Sequence, residues 1–347
     1  MLDVAHEAGV SIKTVSNVVN GYRHLRPETK ARVEAAIARL GYQVNVTARN
    51  LRQGRTGMIA LAVPELRLPY FAELAHAVIQ SAERSGLRVL IEQTGGRRER
   101  ELDVLAGSLR HVVDGVILSP VALGPADRER FDVDFPLVLL GEAVFDTAAD
   151  HVTMGNVDAA CAATTHLLEI GRTKVAAVGA HAGHAHDAGI LRGEHVSAAA
   201  LRLQGYRRAL ESAGRPYDPG LVASTTAWNR STGERAMLDL LDSGAEFDAV
   251  FAFNDALAHG VLHALHLRSV GVPGQVAVVG FDDTEESAYS TPTLTSISPG
   301  RDLIAERAVA LMVGMVTPGA RDRGAVPAFV VAPFTLVVRG STVDETT

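Results

Sequence analysis

Apolar residues recur at helical spacing in three short blocks at the start of the chain, then at strand-like density in a long alternating series. Val4, Ala5 and Ala8 share one face of a predicted helix over residues 3–8, and Gly9 permits a tight turn after it. Ser11 is a candidate N-cap for a second helix, with Val15, Val18 and Val19 inward and Asn20-Gly21 at its end. A third helix is predicted from Pro27 to Leu40, with Val33, Ile37 and Leu40 as its apolar stripe and Gly41 closing it. Two short helices around a glycine turn leave the second on the surface. Its exposed residues are predicted to be Ile12, Lys13, Ser16 and Asn17.

From Met58 the pattern changes. MIALAVPE reads as a strand, followed by a helix over about residues 70–85, and LRVLIEQ, DGVILSP and PLVLLGE repeat the strand signal with helical segments between. A second series opens with a helix near Asn156 and continues through KVAAVGA, LVASTTA, DAVFAFN and VAVVGFD. Strand–helix alternation predicts parallel sheets, and two such series predict two Rossmann-like lobes with a cleft between them. Ligands bind in such clefts, outside the carboxyl ends of the strands. Asn254, Asp255, Asp282 and Asp283 stand at those ends, Arg202 opens a helical segment, and Trp228 lies in a loop. A guanidinium fork, carboxylates and an amide can bracket vicinal hydroxyls, while an aromatic face covers the apolar face of a sugar. Plainer readings stand beside this one. Asp282 and Asp283 could cap the next helix, Arg202 could bridge the lobes, Tyr70 and Phe71 could be core, and Trp228 could pack under a loop.

Length and charge sharpen the picture. At 347 residues the chain exceeds one ordinary domain. The net charge is −7, yet residues 1–57 carry nine Lys/Arg against four Asp/Glu, a net of +5 that leaves −12 for the rest. A basic head on an acidic body points to nucleic acid. In a major groove, Lys13 can bond guanine or phosphate, Asn17 can pair with adenine or contact backbone, and Ile12 can meet a thymine methyl. A plain three-helix bundle with a polar face is the rival reading. The polar segment over residues 45–54 carries Arg49 and Arg52 around Leu51, with Arg55 next to it. An apolar side chain in a basic helix suits minor-groove insertion, although a linker with an incidental leucine fits too.

The remaining features exclude more than they add. No apolar run approaches the length of a membrane span, and no secretory signal opens the chain, so a cytoplasmic protein is expected. The single cysteine, Cys161, excludes an intramolecular disulfide and reads as a small buried hydrophobe. His181, His184 and His186 make a metal site conceivable, but no second ligand cluster supports it. Phosphate-loop, nucleophile-elbow and strand-linked dinucleotide motifs are missing, so neither an enzyme nor a cofactor is expected.

Taken together, DVAHEAGVSIKTVSNVVNG, RPETKARVEAAIARLGY and NVTARNLRQGRTGMIALAVPE resemble the LacI/GalR family of transcriptional regulators. DGVILSP, HLLEIGRTKVAAVGA, LRLQGYRRALESAG, FDAVFAFNDALAHGVLHAL, VAVVGFDDTEESAYSTPTLTSI and LVVRGST continue the resemblance in order along nearly the whole chain. It implies an all-α helix-turn-helix headpiece over residues 1–44 and a hinge helix or linker over 45–56. Residues 57–347 would form an α/β two-lobed body of the periplasmic-binding-protein-like (type I) class. The implied N-lobe covers about 57–156 and 299–326, and the C-lobe about 157–298 and 327–341. The DNA-binding set it implies is Ser11, Ile12, Lys13, Thr14, Ser16, Asn17, Asn20, His24, Thr29, Ala48 and Leu51, with Leu51 as the minor-groove leucine. The implied effector pocket is Tyr70, Phe71, Arg202, Trp228, Asn254 and Asp282.

The function this resemblance implies is a repressor that binds a near-palindromic double-stranded operator as a homodimer, under control of a small molecule, with family precedent favouring a sugar. A purine or other non-sugar co-repressor is the alternative within the class, and a sugar-binding transport protein is the alternative outside it. No leucine heptad follows Arg339-Gly-Ser-Thr, so a tetramerising coiled coil is not indicated. This chain departs from the family in four places. Asn17 stands where Arg is common, and Gly141-Glu142 where Asp is frequent. Arg26 replaces the usual serine cap of the third helix. The chain opens at Met1-Leu2, without the threonine that makes a capping box for the first helix, and the expectation is that translation starts upstream.

Overall fold

The computed structural model describes residues 1–19, 22, 25–42, 55–187, 189, 196–317 and 326–343. The chain divides into two compact units, Met1–Thr56 and Gly57–Thr347.

The first unit holds α1 (Leu2–Glu7), α2 (Ile12–Val19) and α3 (Pro27–Arg39). Their small core is Val4, Ala5, Ala8, Val15, Val18, Val33 and Ala36. Gly9 and Gly41 adopt φ of 61° and 57°, left-handed turns that end α1 and α3 without a Cβ penalty. Leu40 departs from the expected stripe. It is the C-cap of α3 and is 45% exposed, because the stripe ends one turn earlier and Ala36 takes the inward position. Arg26 at the N-cap of α3 makes no side-chain cap, and neither does Met1 ahead of α1.

The second unit is built from two six-stranded sheets. The first contains β1 (Met58–Val63), β2 (Arg88–Gln93), β3 (Val116–Leu118), β4 (Leu137–Leu140), β5 (Asp150–Met154) and β11 (Phe329–Ala332). Its order is β11-β5-β4-β3-β1-β2, and every pairing is parallel. The second contains β6 (Val175–Ala180), β7 (Val222–Ser224), β8 (Ala249–Ala252), β9 (Ala277–Phe281), β10 (Thr295–Ser298) and β12 (Thr335–Val337), in the order β12-β10-β9-β8-β6-β7. Only β10 and β12 run antiparallel. The central strands are buried on both faces and read as continuous Ala/Val/Leu runs, the signature of parallel sheets covered by helices.

One lobe boundary differs from expectation. Residues 329–332 were expected in the C-lobe, but β11 extends the first sheet by pairing with β5, Val330 opposite Val152. The last crossing between lobes therefore falls between β11 and β12, after Ala332, rather than before residue 327.

The helices that carry site residues are α4 (Pro69–Arg84), α5 (Arg98–Leu105), α6 (Asn156–Glu169), α7 (Ala198–Ser212), α8 (Arg230–Asp242), α9 (Asp255–Leu267), α10 (Glu285–Tyr289) and α11 (Arg301–Val316). Two pairs pack backbone against backbone through glycine. A Cβ on Gly260 of α9 would lie 2.1 Å from the Arg230 carbonyl oxygen of α8, and one on Gly233 of α8 would lie 2.4 Å from the Leu257 carbonyl oxygen of α9. Gly205 of α7 meets the Val157 carbonyl of α6 in the same way. G260A is therefore expected to lower stability by about 2–3 kcal/mol, because neither backbone can yield. G314A, in α11 with open space around it, should instead gain about 0.5–1 kcal/mol from helix propensity. Chemical denaturation of the two variants checks the contrast, and equal midpoints would contradict it. Among the described residues, no helix is long and apolar enough to cross a membrane.

Candidate functional site

In the first unit, Ser11 and the first turn of α2 form an outward face. Ser11, Ile12 and Lys13 are exposed, with Ile12 at 45%, and Thr14, Ser16 and Asn17 are half-buried. The Ser11 hydroxyl accepts the Thr14 N–H at 3.1 Å and lies 2.9 Å from the Thr14 hydroxyl, which caps α2 as predicted. Thr29 is half-buried in the first turn of α3. An exposed apolar side chain beside a lysine on a short, capped helix fits a groove-reading surface. Asn20, His24, Ala48 and Leu51 lie outside the described residues, as does most of the expected hinge.

In the second unit, the strand ends enclose a cavity of about 310 Å³ between the two sheets. Tyr70, Phe71, Arg202, Trp228, Asn254 and Asp282 all line it. Tyr70 and Phe71 open α4, where Pro69 sets the first turn, and their rings meet edge to face at 5.2 Å. Arg202 sits one turn into α7, whose N-cap Ser197 accepts the Ala200 N–H. Asn254 follows β8 and caps α9 by accepting the Leu257 N–H at 2.8 Å. The Trp228 indole donates to the Gly179 carbonyl at 2.8 Å, so its ring both packs under its loop and walls the cavity.

Arg202 is the electrostatic centre. It is buried, its Nε donates to Asn156 Oδ1 at 2.8 Å, and its Nη1 donates to the Phe253 carbonyl. Nη1 lies 3.8 Å from Asp282 Oδ1, and the guanidinium stacks 3.5 Å from the Phe281 ring centroid. Asp282 belongs to the same lobe as Arg202, so this ion pair does not bridge the lobes. Burial raises the Asp282 carboxyl well above the ordinary range, and Arg202 pulls it part of the way back. Asp282 has a φ of 115°, a strained conformation for a non-glycine residue, held by its N–H bond to the Ile297 carbonyl at 2.8 Å.

The other strand-end carboxylates serve the frame rather than the cavity. Asp255 is buried and accepts hydrogen bonds from Ser287, Ser296 and the Thr284 N–H at 2.7, 2.6 and 2.8 Å. Burial nevertheless pushes its carboxyl up to about 6. Asp283 pairs with Arg339 at 2.7 Å. Neither lines the cavity.

Glu142 is the residue that the sequence left unassigned. It follows β4 and lines the cavity, with a side-chain hydrogen bond to Asn156. Its Oε2 is buried with no hydrogen-bond partner among the described residues. Burial raises its carboxyl, opposed by the Arg202 charge and the Asn156 bond. The signal for it was its place directly after a parallel strand, where cleft residues collect. Glu101 was also missed. This buried carboxylate in α5 accepts the N–H groups of Val121, Ala122 and Leu123 and fixes the loop after β3, which contributes Val121 to the cavity. Glu73 of α4 accepts the Glu285 N–H at 3.0 Å, which joins the two lobes, and pairs with Arg301 of α11 at 2.8 Å within the first.

His181 reaches the cavity and its ring centroid lies 5.1 Å from that of His184. No group of three or more His, Cys, Asp or Glu among the described residues could hold a metal ion. Cys161 is free and half-buried, less enclosed than expected.

Comparison with known proteins places both units. Residues 1–45 match the model for bacterial regulatory proteins of the lacI family, and residues 164–342 match the periplasmic binding protein-like domain. The ribose operon repressor of Escherichia coli K12 is 32% identical over 320 residues, spanning 91% of this chain and 93% of that protein. A putative LacI-family regulator from Sanguibacter keddieii has a solved structure that superposes with a TM-score of 0.74 at 45% identity, over 83% of this chain and 99% of its own. The lac repressor dimer, solved with operator and the anti-inducer ONPF, superposes with a TM-score of 0.81 at 26% identity over 98% of both chains. This chain therefore belongs to the LacI family of bacterial regulatory proteins, and it is a DNA-binding transcriptional regulator rather than an enzyme.

Proposed function

We propose that this regulator is a cytoplasmic repressor that binds a near-palindromic operator as a homodimer and is controlled by a sugar held between its lobes. Residues 1–44 act as the headpiece, 45–56 as the hinge and 57–347 as the effector-binding body. Ser11, Ile12, Lys13, Thr14, Ser16 and Asn17 enter the major groove, with Asn20, His24 and Thr29 as flanking contacts. Ala48 and Leu51 act in the minor groove. The observation that carries the sugar reading is the cavity itself. It brings a guanidinium, a carboxylate, an amide and an indole together around about 310 Å³. At ~30 Å³ per water that is room for about ten waters, on the scale of a small polyol. The relative that is a ribose operon repressor supports the same class.

A bound sugar touches both lobes, so it shifts the balance between open and closed bodies by its differential affinity for the two. The test is a fluorescence-anisotropy titration of the full chain, at fixed salt, against DNA upstream of its own gene and against genome-selected fragments, with a sugar panel. Specific binding weakened at least about tenfold by one sugar is the expected result, equal to ~1.4 kcal/mol of coupling. Binding strengthened by a purine and unaffected by every sugar would replace this reading with a co-repressor mechanism.

A further inference from the structure

We propose that the cavity selects an uncharged or amine-bearing carbohydrate and rejects phosphorylated and acidic ones, with Glu142 as the specificity-determining contact of the first lobe. This inference rests on the sugar reading above and deepens it.

The charged residues lining the cavity, among those described, are Glu142, Arg202 and Asp282. The one guanidinium is already committed. It donates to Asn156 and to the Phe253 carbonyl, faces Asp282 at 3.8 Å, and lies flat against Phe281. His181 adds no cation at neutral pH, because burial lowers its pKa. A second carboxylate, Glu142, is therefore left without a counter-charge of its own.

Asn156 Oδ1 accepts from Arg202, and the Asn156 amide lies between the Met154 carbonyl, to which it donates at 3.5 Å, and Glu142. Glu142 Oε2 is buried with no hydrogen-bond partner among the described residues. A buried carboxylate oxygen without a donor is costly, so a donor arriving from a bound molecule is rewarded. Hydroxyl and ammonium groups supply one. Phosphate and carboxylate groups bring only acceptors and a like charge. The N-terminus of α7, at Ser197–Ala199, also lines the cavity and carries about half a positive charge, which the Glu142 carboxylate offsets.

The single tryptophan of the chain, Trp228, walls this cavity and supplies the readout. The probes for the full-length protein are ribose with ribose 5-phosphate, and glucose with glucosamine, glucuronate and glucose 6-phosphate. Galactose with galactosamine and galacturonate completes the set. At least one neutral or amino sugar is expected to change Trp228 fluorescence, with its acidic or phosphorylated counterpart binding at least about 30-fold more weakly. Glu142→Gln should weaken the neutral sugar about tenfold and remove about tenfold of the discrimination, with the thermal midpoint followed in parallel to separate loss of fold from loss of contact. An anionic counterpart that binds as tightly as its neutral partner would overturn the proposal. So would discrimination unchanged in E142Q. If no probe binds while operator DNA is still bound, the sugar reading fails and this inference falls with it.

Discussion

Removing residues 1–56 is expected to abolish operator binding while leaving the response of Trp228 to sugar within about twofold of the full chain. Residues 1–57 carry a net charge of +5, and the remainder carries −12. Phosphate contacts supply most of the attraction to DNA, and a body of the opposite sign supplies repulsion instead. Specific sites are bound about 10³–10⁷ more tightly than non-specific DNA, so loss of the headpiece removes at least the lower end of that range. The truncated chain keeps its own cores on both sheets, built from residues such as Ile59, Leu61, Phe251 and Val278 in one cluster and Val104, Leu118 and Phe131 in another. Anisotropy with a labelled operator and tryptophan fluorescence with sugar measure the two halves independently. Retention of operator binding by residues 57–347 would refute the division of labour. A salt titration of the full chain adds a check, since each phosphate contact contributes about −0.9 to the slope of log K against log salt.

Replacing Arg202 by Met should cost about 3–5 kcal/mol of stability at pH 8, because it leaves Asp282 buried without its partner. The loss depends on pH with a definite sign. Burial already raises the Asp282 carboxyl, and removal of Arg202 raises it further, so the folded variant holds a proton that the unfolded chain releases. A carboxyl whose folded pKa lies above its unfolded value destabilises the fold progressively as pH rises between the two. R202M should therefore be closest to the parent near pH 4–5 and furthest from it at pH 8. The double variant R202M/D282L removes both charges and should recover at least about half of the loss. Urea denaturation at the two pH values, on parent, single and double variants, provides the comparison. A deficit in R202M that is independent of pH would place the cost in lost packing against Phe281 rather than in the orphaned carboxylate.

The head of the molecule was legible because its signals are local. Gly9 and Gly41 needed only their own backbone conformation to end helices, and Ser11 needed only the N–H three residues ahead. Leu40 was misplaced because a helix stripe continues in sequence past the turn at which the helix stops. The strands predicted from apolar runs correspond to β1–β4 and β6–β9; β1, β3, β4, β6, β8 and β9 are buried on both faces and leave uninterrupted aliphatic stretches, while the edge strands β2 and β7 are only partly buried. β5, β10, β11 and β12 were not identified. DHVTM and TSIS mix polar residues into buried strands, and β11 alternates exposed Phe329 and Val331 with partly buried Val330.

By itself, then, the sequence determined the two-part plan and the parallel lobes, and its resemblance to the LacI/GalR family pointed to six side chains that line the cavity. The plan and the lobes depend on short-range periodicity, which a linear chain displays directly. The tertiary structure alone decided which lobe receives residues 329–332 and which strand-end carboxylates face the cavity. It also buried Glu142 Oε2 in the cavity wall with no hydrogen-bond partner among the described residues. These outcomes depend on partners far away in the chain, as with Asp255 held by Ser287 and Ser296, Asp283 by Arg339, and Asn156 set between Glu142 and Arg202. A buried charge is placed by whatever can satisfy it, and that set of neighbours exists only once the chain has folded.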